Sequence, residues 1–448
     1  FAGANLAEDE FSSVTFNSSG VASQTFTMAT RGLSWSGTLT VSGDTVLAKA
    51  TFTLGVEASG ALTVGGAGTN ALTSTSGAVT VTTVSIAGTG DYIDLGSEAW
   101  TVSGTWTNAT TSASWDAGTG TVTFDSATGG TMTFAGGNLG ENEFFNVTFT
   151  SSAGTSQTFT MGRSLRPGGT LTITDTAGGT ILSKPDTFDI GLSAGGPLVI
   201  SGTVASGLVA GAGGNIDGIA FTDVTISTAT AYIAMANDDF TVSGTWTNSS
   251  TNASWDAGTG TVTFNAAAGA TMTFAGANLS EDEFFNVTFA SSAAGSQTFT
   301  MATRGLRLGG ALVIDSTTIL AKATFTLTVG TTFTLGAGEA NALTSTSGAV
   351  TVGTNVSVAD ATAYIDFGSE AWTVSGTWTN STTSASWDAG TGTVTFDSAT
   401  GGTMTFAGAN LSEDEFNSIT FESSGAASQT FTMATRGLRW GGTLTVTD

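Results

Sequence analysis

The sequence predicts an all-β chain folded as a parallel β-solenoid, with about 22 residues per coil and about six coils per sequence repeat. Three features carry that expectation. A long unit is copied three times and begun a fourth, apolar pairs recur at a near-constant step inside each unit, and no segment shows helical periodicity. The competing reading is a string of tandem β-sandwich domains, which short strands separated by turn residues also permit.

The units open at Phe1 (FAGAN), Phe134 (FAGGN), Phe274 (FAGAN) and Phe406 (FAGAN), giving lengths of 133, 140 and 132 residues. The expected organisation is therefore solenoid repeats at 1–133, 134–273 and 274–405, with a partial fourth at 406–448. In the first unit the pairs are Val14/Phe16, Leu39/Val41, Leu62/Val64, Val79/Val81, Trp100/Val102 and Val122/Phe124, followed by Val147/Phe149. Their steps are 25, 23, 17, 21, 22 and 25, and the third unit places its own 17-residue step at the same point, from Phe333 to Val350. A step near 22 returns the chain to a spot above its start, as one coil must. The step also crosses the unit boundary unchanged, from Val122 to Val147, which independent sandwiches have no reason to do. A second column is expected at Phe134/Phe159, Phe274/Phe299 and Phe406/Phe431, each pair 25 apart. Alternation turns the Val and Phe of TVTF inward and Thr outward, and Gly, Asn, Asp and Ser supply the corners.

Composition narrows the function. The chain has 62 Gly, 3 Pro, no Cys and no His, so disulfides, thiolate nucleophiles and imidazole bases are absent. Its net charge of -25, with ten Lys and Arg in all, argues against nucleic acid, which requires clustered cations. No apolar run reaches the roughly 18 to 20 residues of a membrane span. With Phe1 in place of an initiator Met, the chain reads as a mature product or an excerpt.

The stretch SASWDAGTGTVTFDSATGGTMTFAGGNLGENEFFNVTF, with the QTFTM and GGTLTITD that follow, resembles the β-strand repeats of large bacterial and archaeal surface proteins, adhesin-like or filament-forming. The likeness covers Trp115 to Asp175 and the copies from Trp255 and Trp387. It implies a right-handed β-helix at an extracellular or cell-surface location with a structural role, and carries over no catalytic residue. The expected function is a structural protein forming a filament, sheath or surface layer by end-to-end or lateral self-association. The alternatives are an adhesin stalk and a polysaccharide-binding or cleaving β-helix.

Candidate sites are few. An acidic loop recurs as Glu8-Asp9-Glu10, Glu141-Asn142-Glu143, Glu281-Asp282-Glu283 and Glu413-Asp414-Glu415. Such carboxylates are candidate Ca²⁺ ligands. The favoured reading is ion pairing one coil on, Glu281 and Glu283 with Arg304 and Arg307 and Glu141 with Arg166, with Arg31, Arg436 and Arg439 in equivalent places. The pairs Trp106/Trp115, Trp246/Trp255 and Trp378/Trp387 are either corner covers or platforms for surface glycans. The sequons at Asn108, Asn248, Asn380, Asn146 and Asn286 are glycosylation candidates. Every carboxylate cluster is duplicated, Asp116, Asp256 and Asp388 included; only Asn237-Asp238-Asp239 is not, so the chain is not expected to be an enzyme.

Overall fold

The computed structural model describes residues 10–20, 22–55, 60–126, 130–136, 143–185, 187–191, 196–211, 219–266, 271–276, 282–291, 295–336, 341–397, 402–408, 414–425 and 429–447. Among them there is no helix, and every pairing whose register is defined is parallel, including Val122 with Val147. The chain is a parallel β-solenoid. It divides into two compact units, 1–221 with 226–233, and 222–225 with 234–448.

In the first unit the strands fall into three stacked sheets. One face stacks Val14, Leu39, Leu62, Val84, Trp106 and Phe134 in register. A second stacks Val79, Trp100, Val122, Val147, Leu171 and Leu198. The third holds Gln24–Thr27, Thr45–Ala50, Ala71–Ser74 and Tyr92–Ile93. The second unit repeats the arrangement, with Val287, Leu312, Phe333, Val356, Trp378 and Phe406 on one face.

These registers explain the short step. Leu62 pairs with Val84, 22 residues on, and not with Val79, which pairs with Leu54 and Trp100. The 17-residue interval is thus not a coil; it carries the chain past two corners to another face. Phe333 and Val350 behave identically, pairing with Val356 and Leu327 respectively. A sequence repeat consequently spans slightly less than six coils. From Val14 the chain climbs five paired steps to Phe134 and then turns only two corners, through Phe144, before Val147. Val147, the repeat equivalent of Val14, therefore lies on a different face from it.

The second expected column is displaced by two residues. Phe134 opposes Met161 and Met132 opposes Phe159, so the step there is 27 and not 25. Phe274 and Phe406 likewise oppose Met301 and Met433. The loop before QTFTM is longer than even spacing implies, and hydrogen-bond register follows the loop rather than residue identity.

Inward side chains form continuous ladders. Phe124 and Phe149 stack with ring centroids 5.4 Å apart and planes 21° from parallel, and Phe264 with Phe289 at 5.3 Å and 21°. All four are fully buried. Each such ring is worth about 1.5–3 kcal/mol in burial, and a stacked pair about 0.5–1.5 kcal/mol more. No helix among the described residues is long and apolar enough to cross a membrane.

Candidate functional site

The polar groups singled out by the sequence converge inside the coil. The strand Trp106–Asn108 alternates in, out, in, so Trp106 and Asn108 both point to the interior. Glu143 enters from the following coil at the corner beside Phe144. Its Oε1 accepts from Trp106 Nε1 at 2.8 Å and Asn108 Nδ2 at 2.8 Å, and its backbone carbonyl accepts Trp115 Nε1 at 3.0 Å. Arg163 pairs with the same carboxylate, and both side chains are buried. Asn108 Oδ1 accepts Thr110 N at 3.0 Å, which spends the remaining side of the amide.

The second unit contains this cluster twice. Glu283 Oε1 accepts from Trp246 at 2.8 Å and Asn248 at 3.0 Å, its carbonyl from Trp255 at 3.1 Å, and Arg304 grips both carboxylate oxygens. Glu415 does the same with Trp378 at 2.8 Å, Asn380 at 2.9 Å, Trp387 at 2.9 Å and Arg436. At the first coil, Glu10 pairs with Arg31. An ionised pair taken out of water is tolerable only when nearly every lone pair and N–H finds a partner. The indole and amide donors supply those partners here.

Several expectations are thereby decided. Glu143, Glu283 and Glu415 are scaffold carboxylates rather than Ca²⁺ ligands, because arginine, tryptophan and asparagine already occupy their oxygens. Among the described residues no group of three or more carboxylates gathers to hold a metal. Asp282 instead meets Arg307 at 2.8 Å on the surface, a contact worth about 1 kcal/mol or less, and Asp414 is exposed. Glu8, Asp9, Glu141, Glu281 and Glu413 lie outside the described residues. So does the expected Glu141 to Arg166 pairing; Arg163 is the partner, and it engages Glu143.

The sequon asparagines separate into two classes. Asn108, Asn248 and Asn380 are fully buried with Nδ2 donated to glutamate, so a glycan on that nitrogen is incompatible with the packing. Asn146 and Asn286 lie on the outer surface, where each Oδ1 accepts a backbone N–H of the next coil at 2.9 Å. The six paired tryptophans are buried too, which removes them as sugar platforms; Trp106 and Trp115 meet edge to face at 6.5 Å. Asp116 and Asp388 cap their own corners, accepting Gly118 N and Gly390 N at 2.8 and 2.9 Å. Each stacks on an aspartate one coil below, Asp94 and Asp366, whose pKa values are raised by burial and by that neighbour's charge. Asp239 accepts Thr261 N at 2.7 Å, while Asp238 is buried.

A second internal site escaped the sequence reading. Lys49 and Lys322 are wholly buried, and each donates Nζ to two consecutive backbone carbonyls: Ser76 and Gly77 at 2.6 and 2.7 Å, and Ser347 and Gly348 at 2.5 and 2.7 Å. Gly77 and Gly348 hold φ of 90° and 87°, and a Cβ on either would strike a carbonyl oxygen of the preceding coil at 2.3 or 2.4 Å. Lys49 Nζ lies 3.6 Å from Glu98, whose Oε1 also accepts Trp100 Nε1 at 3.3 Å. Glu370 accepts from Trp372 at 3.0 Å and Ser345 at 2.7 Å. Burial lowers the pKa of both lysines and raises that of Glu370. The signal was present in TVLAKA, where alternation with Leu47 turns Lys49 inward.

Fold and clusters together define a parallel β-solenoid whose recurring polar chemistry is internal and structural. No family model, curated protein or solved structure matches the chain, so this assignment rests on its own geometry.

Proposed function

We propose that the chain is a structural protein of the cell exterior, a β-solenoid segment that builds a filament, sheath or surface layer by self-association. The observation that carries this reading is where the repeated chemistry goes. Each repeat brings a glutamate, an arginine, two tryptophans and an asparagine together, and spends all of them on holding one coil to the next. Residues kept for a ligand would face outward or line a cleft. A stack of parallel coils also presents unpaired strand edges wherever it stops. Parallel strand edges with apolar side chains favour the addition of a further coil. The sequence likeness to filament-forming surface repeats supports the same reading.

Sedimentation over a range of protein concentration, with electron microscopy of the same samples, tests it. Concentration-dependent polymers are expected. A chain that stays monomeric at the highest concentration, under both low and high salt, overturns the proposal.

A further inference from the structure

Each unit carries an unbroken outward column of threonines. In the first unit Thr80, Thr101, Thr123, Thr148 and Thr172 are register neighbours on successive coils. In the second the column is Thr328, Thr351, Thr373, Thr395, Thr420 and Thr445. From Thr80 to Thr172 and from Thr328 to Thr395 every one alternates with buried neighbours, and Thr420 and Thr445 continue the second column in register, so each presents a hydroxyl and a methyl to the outside of a regular parallel sheet. Around the first column lie further hydroxyls, among them Ser201 and Thr174, joined at 3.0 Å. Charges stand at the ends and margins and not among the threonines: Arg307, paired with Asp282, is in register with Thr328 at one end of the second column, Asp125 lies beside the first, and Asp397 and Glu422 beside the second.

We propose that these threonine faces are the lateral contact between copies of this chain, each column lying against the same kind of column on a second copy. The inference rests on the self-associating function above and names the surface by which copies pack side by side. Charge is the first argument. Two chains of net charge -25 repel, and exposed carboxylates such as Asp116, Asp388 and Asp414 sit at corners, so a face with a neutral centre is where approach costs least. Spacing is the second. Hydroxyls repeating at the roughly 4.8 Å interval of paired strands match, rung for rung, only a surface with the same rise, and a second copy has it. A glycan partner is disfavoured because the paired tryptophans are buried. One five-rung column covers less than the ~800 Å² per partner of a stable pair, so lateral packing is expected to hold only when many coils engage together.

The test compares four proteins by sedimentation and electron microscopy. Thr101→Glu/Thr148→Glu places like charges on the column with an intervening coil between them, and Thr123→Gln adds neutral bulk there in case the charged pair perturbs folding. The double variant Thr69→Glu/Ser114→Glu adds the same charge at exposed corners. Wild type and the corner variant are expected to form laterally associated bundles, while both column variants, folded by circular dichroism, form only single-width filaments, with at least a tenfold loss of bundled mass. Column variants that bundle like wild type overturn this inference and leave the filament reading standing. Single-width filaments from wild type itself do the same. A wild-type chain that forms no polymer at all removes the filament reading and this inference with it.

Discussion

Replacing Glu283 by Gln strips one charge from the centre of a saturated cluster while keeping its shape. Trp246 and Asn248 can still donate to the amide oxygen, but Arg304, almost wholly buried, loses its counter-ion. Breaking a buried pair by removing one partner costs about 3–5 kcal/mol, because the remaining charge stays desolvated. Coils of a stack can open locally, so a residue-resolved readout locates the loss where a melting temperature reports only its sum. Hydrogen exchange read by mass spectrometry resolves it. At about 1.4 kcal/mol per tenfold, amides of Asn286–Ser291, Gln297–Met301 and Leu306–Leu308 are expected to lose roughly two to three and a half decades of protection. Amides of Trp372–Val374, several coils away, should change by less than threefold. The paired replacement Glu283→Leu/Arg304→Met removes both charges and is expected to recover much of the loss. Protection unchanged within threefold around Glu283→Gln would refute the reasoning, as would a double variant as damaged as the single one.

Gly348→Ala is expected to lower the stability of its coil by about 1–3 kcal/mol through backbone strain alone, whereas Gly437→Ala, where an added Cβ meets nothing within 4 Å, should be neutral; exchange rates of the two variants check this. Burial lowers the Lys322 pKa below 10.5, so the unfolded chain binds more protons in the window beneath 10.5 and this group's contribution to stability rises with pH there. The melting-temperature difference between wild type and Lys322→Met should accordingly grow in favour of wild type from pH 8 toward 10.5, and a flat difference would contradict the burial. For Glu370 the sign is opposite: its raised pKa means the folded chain holds more protons just above 4.5, so its contribution falls as pH climbs through that window. Peptide mass mapping of material from its native source should find Asn108, Asn248 and Asn380 unmodified, since a glycan on any of them breaks the contact to glutamate. Chelation of calcium should leave the melting profile unchanged, because the described carboxylates of the acidic loops are either engaged by arginine or solvated.

What could be read before folding was whatever depends on short range. Inward and outward positions follow from strand alternation, and Val122 over Val147 follows from a step that survives the repeat boundary. The ion pair of Glu283 with Arg304 was legible for the same reason, being 21 residues apart and so close to one coil. Asn108 was not. Its sequon advertises an exposed amide, but its partner Glu143 is 35 residues away, more than one coil, and which side chains meet across such an interval depends on corner lengths.

The sequence by itself determined that this is a parallel stack, because a period-two pattern repeated at coil length buries its apolar half only when coils lie in register. Tertiary structure alone decided which face each strand joins and where each repeat closes. Corners of unequal length set the rotation of the chain about the stack, so Val79 could not be told from a partner of Leu62 until their neighbours, Leu54 and Val84, were in place. That same rotation carries Glu143, Glu283 and Glu415 into the interior, where the cost of desolvating charge is met only because arginine, indole and amide donors converge on each carboxylate.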